Sequence, residues 1–369
     1  MLYRALIRPL LFLQDPEKAH ERTLALLARL SFLDGAFARF FSFDDPRLAV
    51  RVGPLECKNP VGLAAGFDKN GVALRSWPSF GFGFVEIGAV TAAPQPGNPK
   101  PRLIRLPKDR ALINRLGFNN EGARAIADRL RTLREGGSAS RIPLGINIGR
   151  TRAVAADRAV ADYLVTFALL FRFGDYFTIN VSSPNTPGLR ELQQKGPLDE
   201  LLAAVQQRNR ELAVEHSVAP KAVFLKIAPD LEFSQVDEIV EIVRRRDLTG
   251  IIATNASADL RDRLSVATDE PGGLSGRPLR DRATSFVRYL YQATQGRLAI
   301  IGSGGIFTAA DAYAKIKAGA VAVQIYTGFV YEGPGAVVRI NRGMLELAAR
   351  DGFRKIADAV GCEDREHAH

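Results

Sequence analysis

The sequence predicts an α/β protein: a (β/α)8 TIM barrel with a small N-terminal helical extension. Three observations predict it. From about residue 50 onward, eight short apolar runs, often β-branched and ending in glycine or a small polar residue, alternate with longer segments of helical character. The seventh run ends in Gly-Ser-Gly-Gly, 302–305, and the eighth in Gln-Ile-Tyr-Thr-Gly, 324–328, where barrels often bind phosphate. Residues 1–43 differ in kind from the rest of the chain, with apolar residues at helical spacing and no strand-like run.

In chain order, the extension carries Leu2 and Leu6, then Leu24, Leu27 and Leu30, and six of the 21 phenylalanines. Asp15-Pro16 is a helix-start signal, with Asp as N-cap and Pro at the first helical position. Asp34-Gly35 punctuates the next break, so two or three short helices are expected. The barrel strands are expected at Val61–Gly66, Phe84–Val90, Leu144–Gly149, Phe177–Ser182, Val223–Ala228, Gly250–Asn255, Ala299–Ser303 and Val321–Tyr326. Eight units are the arithmetic of a closed parallel barrel, but periodicity does not reveal closure, and a doubly wound open sheet remains the alternative. The Arg-rich stretch 129–141 reads as a solvated helix end and loop, and the chain from Asp351 ends in a charged, frayed tail.

Length and composition bound the function. A barrel of roughly 250 residues plus an appendage accounts for 369 residues. Cys57 and Cys362, the only cysteines, lie far apart and define no disulfide framework or thiolate metal site. Of four histidines, His367 and His369 fall in the tail, leaving His20 and His216; histidine-based metal or triad chemistry is not expected. The net charge of +10 suits nucleic-acid phosphates, anionic lipid headgroups or a small anionic substrate, without choosing between them. No stretch approaches the roughly 18 apolar residues of a spanning helix, and no leader signature is evident, so neither a membrane span nor secretion is expected.

Candidate chemistry lies at the strand ends. After the first run, 62–71, small residues let a flat ligand approach the backbone while Lys69 offers charge to an anion. After the fourth, Ser182, Ser183, Asn185 and Thr186 stand between Pro184 and Pro187, in a loop whose composition also suits a simple turn. Asn147, Asn180 and Asn255 end three different runs and supply neutral donors and acceptors for an amide or pyrimidine edge. Lys226 interrupts an apolar run, where an unpaired ammonium is costly, so it should meet an anion. The Gly302–Ile306 turn, followed by Thr308 and Asp311 at a helix start, aims backbone N–H groups at an anion.

Eight segments together resemble the dihydroorotate dehydrogenase family: Ala64–Gly71, Pro94–Arg102 (PQPGNPKPR), Asn114–Asn120 (NRLGFNN), Gly145–Gly149 (GINIG), Asn180–Arg190 (NVSSPNTPGLR), Lys226–Asp230 (KIAPD), Gly272–Leu279 (GGLSGRPL) and Gly302–Ile306. The resemblance implies an FMN barrel, one FMN per chain, that oxidises dihydroorotate to orotate. It also implies that Ser183 is the catalytic base. A serine there marks the quinone-reducing, membrane-associated class, whereas the soluble class has cysteine, and neither cysteine of this chain is near the motif. Ser183 would take the C5 proton while hydride leaves C6, with Thr186 and a water as relay and Phe118 as shield.

The same resemblance places substrate at Lys69, Asn114, Arg115, Leu116, Gly117, Phe118, Asn180, Asn185, Asn255 and Ala256. It places FMN at Ala65, Gly66, Ala89, Asn147, Asn180, Lys226, Thr254, Gly276, Gly305, Tyr326 and Thr327, with the phosphate at Gly305 and Thr327. Lys226 would then stabilise the anionic reduced flavin. Quinone, ubiquinone or menaquinone, would meet His20, Arg105 and Tyr326. The 1–43 extension would lie on lipid and admit quinone, making a peripheral membrane protein at the cytoplasmic face of a bacterial inner membrane, with residues 44–369 as the barrel. Two positions depart from the family: Ala89 stands where Thr or Ser is usual, and Ala256-Ser257 where two threonines are usual, so either Ser257 meets substrate or one bond is lost. A dihydrouridine synthase, the rival FMN barrel with an RNA substrate, would carry a catalytic cysteine in the barrel and a basic appendage, and nucleic acid is therefore not the expected partner.

Overall fold

The computed structural model describes residues 2–137, 142–186 and 188–366, the last two of them by backbone alone. Eight parallel strands close into a barrel: β1 (Val61–Leu63), β2 (Phe84–Val90), β3 (Leu144–Ile148), β4 (Tyr176–Asn180), β5 (Ala222–Ile227), β6 (Gly250–Ala253), β7 (Ala299–Ser303) and β8 (Ala322–Ile325). Each pairs with the next, and β8 returns to β1 through Val323 opposite Val61, which excludes the open sheet. All eight expected runs are strands, shifted at most by a few residues at their ends.

The strands are apolar throughout because one face lines the barrel and the other meets the helices; β2, β4 and β5 are buried at every position. The lower interior is filled by large rings set against glycines. A Cβ on Gly62 would lie 2.3 Å from the Phe84 ring, and one on Gly145 would lie 2.0 Å from that of Tyr176. The hairpin Val50–Val52/Leu55–Cys57 belongs to the lower end, since Gly53 at its turn packs on Thr249, just before β6.

Two additions cover the upper end. The antiparallel strands Leu103–Leu106, Ala111–Asn114 and Gly273–Gly276 form a small sheet with its own apolar cluster of Ala111, Ile113 and Leu274. None of the eight periodic runs announces it, because its strands are four residues each and GGLSG has turn composition. The other addition is the N-terminal segment: a helical stretch over 3–12, Pro16–Arg29, a single turn at Ser31–Leu33, and Asp34–Phe41. The Asp15 carboxylate caps the second helix, accepting from Lys18 N–H at 2.9 Å. Asp34 and Gly35 open the last helix rather than interrupt one.

This segment is docked on the barrel. Glu17 and Arg102 form a buried ion pair at 2.7 Å, Tyr3 donates to the Val330 carbonyl at 2.7 Å, and Phe37 and Phe41 stack on Phe80 at 5.7 Å. Arg102, the last residue of PQPGNPKPR, also donates to the carbonyls of Pro96 and Asn98. At the other end, the chain beyond Asp351 stays packed further than its charge implied, with Ile356, Ala359 and Cys362 buried. Ser138–Arg141 of the Arg-rich loop, Pro187, and the last three residues with their two histidines lie outside the described residues.

Candidate active site

A cavity opens where the strands end. Its wall includes Ala65, Gly66, Lys69, Ala89, Asn114, Leu116, Gly117, Phe118, Asn180, Ser183, Asn185, Lys226, Thr254, Asn255, Ala256, Gly276, Gly305, Tyr326 and Thr327. These come from the ends of β1, β2, β4, β5, β6, β7 and β8 and from the inserted sheet with its flanking loop, so closure of the barrel is what assembles them. The cavity wall also includes Leu103, Leu112, Ser275, Leu279, Ser303, Gly304 and Gln324, to which the sequence reading gives no individual role. Ser275, Ser303, Gly304 and Gln324 fall inside recognisable motifs; Leu103 and Leu112 belong to the sheet that periodicity misses.

Five expected positions, one of them His20, are off the wall or beneath it. Asn147 lies under Asn180, accepting from its Nδ2 at 2.9 Å. Arg115 points to Glu270 at 2.9 Å, Thr186 is buried in the loop after Ser183, and Arg105 donates to the Gln14 carbonyl at 2.7 Å. Ser257 is fully buried: its hydroxyl donates to Asp230 while accepting from the Asp259 and Leu260 N–H groups. It therefore holds the loop after β6 rather than turning to the cavity, which removes it as a substitute for a missing threonine.

Electrostatics divide the cavity. At one end burial pushes the Lys69 ammonium down to about 8, with Glu17 opposing and Arg102 reinforcing the shift. Deeper, burial also lowers Lys226, and the charge that offsets the effect is Glu86. Ser183 Oγ accepts from the Asn185 N–H at 3.2 Å, and Asn185 donates to Asn114 Oδ1 at 3.2 Å. At the far end Gly304 and Gly305 both have positive φ, and a Cβ on Gly305 would lie 2.2 Å from the Arg280 Cα, so only glycine fits this turn. Thr327 and Ser275 hydroxyls meet beside it at 2.9 Å.

Of the three positions expected to meet quinone, His20 and Tyr326 flank the Phe67 ring edge-on, at 4.9 and 5.2 Å. Burial pushes the His20 imidazole down to about 4, leaving it neutral near pH 7. Arg105 lies over the Phe12 ring at 4.6 Å. His20 and Arg105 thus stand where the N-terminal helices meet the barrel, off the cavity wall, while Tyr326 lines the cavity itself.

Fold and site together define a barrel enzyme with its chemistry at the C-terminal ends of the strands. The dihydroorotate dehydrogenase family model matches residues 47–347. A dihydroorotate dehydrogenase (quinone) from Synechococcus sp. (strain JA-3-3Ab) is 49% identical over 95% of this chain and 93% of its own length. One from Gloeobacter violaceus is 48% identical over 98% of this chain and 99% of its own. The crystal structure of Eimeria tenella DHODH in complex with ferulenol superposes with a TM-score of 0.85 at 38% identity, covering 95% of this chain and 96% of that one. The chain belongs to the dihydroorotate dehydrogenase family, in its quinone-dependent class.

Proposed function

We propose that the chain oxidises dihydroorotate to orotate for pyrimidine biosynthesis, using one FMN held at the barrel mouth, and passes the electrons to a quinone. One observation carries the reading: a single cavity brings together a cation, Lys69; a hydroxyl, Ser183; and the amides of Asn114, Asn180, Asn185 and Asn255. That set matches a flat ring with amide edges and one carboxylate.

The deeper half of the cavity fits FMN. Lys226 offers a buried ammonium, Gln324 leaves its Oε1 buried and without a partner, and the Gly304–Gly305 turn beside Thr327 forms a cradle for a terminal phosphate. FMN, when bound, supplies the acceptor for the hydride that leaves C6. Lys69 neutralises the substrate carboxylate, and the asparagines orient the ring. Ser183 Oγ takes the C5 proton, with the Asn185 N–H stabilising the oxygen as it loses its own proton to the Thr186 side. Phe118 closes the wall and excludes water.

His20, Arg105 and Tyr326 line the route by which quinone reaches the site, under the N-terminal helices. Those helices carry an outward apolar face, with Leu2, Leu6, Leu10, Leu13, Phe32 and Phe40 all more than half exposed. Among the described residues no helix is long and apolar enough to cross a membrane. The face is suited to lying in a lipid interface, which supports the reading of a peripheral membrane protein, at the cytoplasmic face of a bacterial inner membrane.

Anaerobic mixing of the purified protein with dihydroorotate, followed by a ubiquinone analogue, tests the reading. Bleaching of the oxidised flavin absorbance and its recovery are expected. A flavin that stays oxidised, or a protein that binds none, sinks it.

A further inference from the structure

One fully buried charge inside the barrel is not on the cavity wall. Glu86 sits on β2 with no exposed surface, and four side-chain donors from β3, β4 and β8 converge on it. Its Oε1 accepts from Asn147 Nδ2 at 2.8 Å. Its Oε2 accepts from Gln324 Nε2 at 2.7 Å and from the Tyr176 and Thr178 hydroxyls, each at 3.1 Å. A group that accepts from four donors acts as an acceptor only, which is the behaviour of a carboxylate.

One of those bonds propagates. An amide is directional, with donors at one end and an acceptor at the other. With its NH2 committed to Glu86, Asn147 has to present Oδ1 upward, where it accepts from Asn180 Nδ2 at 2.9 Å. Asn180 is then committed too, and its Oδ1 accepts from Ser182 N–H at 3.3 Å and from Asn255 Nδ2 at 3.5 Å. Asn180 and Asn255 are on the cavity wall; Glu86 and Asn147 are not. Without a fixed acceptor at the bottom, each amide can turn over and exchange donors for acceptors at the wall.

We propose that Glu86 is a positioning residue: it sets the direction of the Asn147–Asn180–Asn255 ladder and so the donor and acceptor pattern that the cavity offers to a ring ligand. Lys226, opposite Asn180 in the β4–β5 register, gains from the same carboxylate, the charge that offsets its burial. The inference rests on the proposed function for the identity of the ring, orotate.

The test compares two anions on FMN-loaded protein, by perturbation of the flavin spectrum. Orotate reads both Lys69 and the ladder, whereas benzoate has a ring carboxylate and no amides. Glu86→Met keeps the length and removes the acceptor; it is expected to weaken orotate about tenfold while benzoate changes less than about twofold. Glu86→Asp, which withdraws the carboxylate by one methylene, is the milder variant if Glu86→Met does not fold, and the same selective loss is expected from it. Unchanged orotate affinity overturns the proposal. Equal losses for both anions also overturn it, since general loosening of the barrel would produce them. A wild-type protein that binds neither FMN nor orotate would instead overturn the proposed function, so the two failures are separable.

Discussion

In the proposed reaction Ser183 and Lys69 divide the work at the residue scale, one moving a proton and the other holding charge. A serine hydroxyl is a weak base at neutral pH, so its contribution depends on the groups around Oγ, here the Asn185 N–H. Ser183→Ala is expected to keep FMN and orotate binding and to slow flavin reduction by dihydroorotate about a hundredfold or more, measured by anaerobic stopped flow. Reduction at the wild-type rate would remove Ser183 as the base. Lys69 titrates near 8 in the free site, and only its protonated form attracts a carboxylate. Orotate affinity should therefore hold steady below pH 8 and fall as pH rises beyond it, because the lysine loses its charge. In Lys69→Met the binding should be weak and flat with pH, and a wild-type slope in that variant would assign the titration elsewhere. Both residues were legible in sequence, because each stands at a strand end among small residues. Arg115 was not readable in the same way: residue type marks a candidate ligand, but its direction is set by Glu270, 155 positions along the chain.

Elements fix how those residues are presented. The helix Pro16–Arg29 is signalled locally by Asp15-Pro16, yet its place on the barrel depends on Glu17 meeting Arg102 in a loop 85 residues away. Burial alone would raise the Glu17 pKa, but hydrogen bonds and charge from Arg102 outweigh it and lower the pKa overall. A depressed carboxylate contributes stability above its unfolded pKa and loses it as pH falls through the folded one. Docking of this helix should therefore weaken on acidification. Glu17→Ala leaves Arg102 buried without its carboxylate and is expected to cost about 3 kcal/mol, read from urea unfolding. The same variant should slow quinone reduction more than flavin reduction, because His20 rides on this helix while Ser183 does not. Equal effects on both half-reactions would argue against a quinone route beneath the helix. The inserted sheet shows the opposite balance: it contributes Leu103, Leu112, Asn114, Ser275 and Gly276 to the cavity, but its four-residue strands carry no period long enough to read.

At the scale of the whole molecule, a basic chain presents one concentrated apolar face, formed by the N-terminal helices, and among the described residues the other large exposed apolar side chains are scattered valines. Full-length protein should sediment with anionic liposomes, and a chain beginning at Asp45 should not; equal binding by both would dissociate the extension from the membrane. The sequence by itself determined the eight βα units, the helical extension, and the residue types at the strand ends, because periodicity, capping and turn chemistry act over a few neighbouring residues. Only the tertiary structure decided that the sheet closes, that Ser257 turns to Asp230 instead of the cavity, and that Glu86 lies beneath a directed ladder of amides. Those outcomes depend on partners far apart in the chain, such as Glu86 with Gln324, which meet only once the barrel has closed.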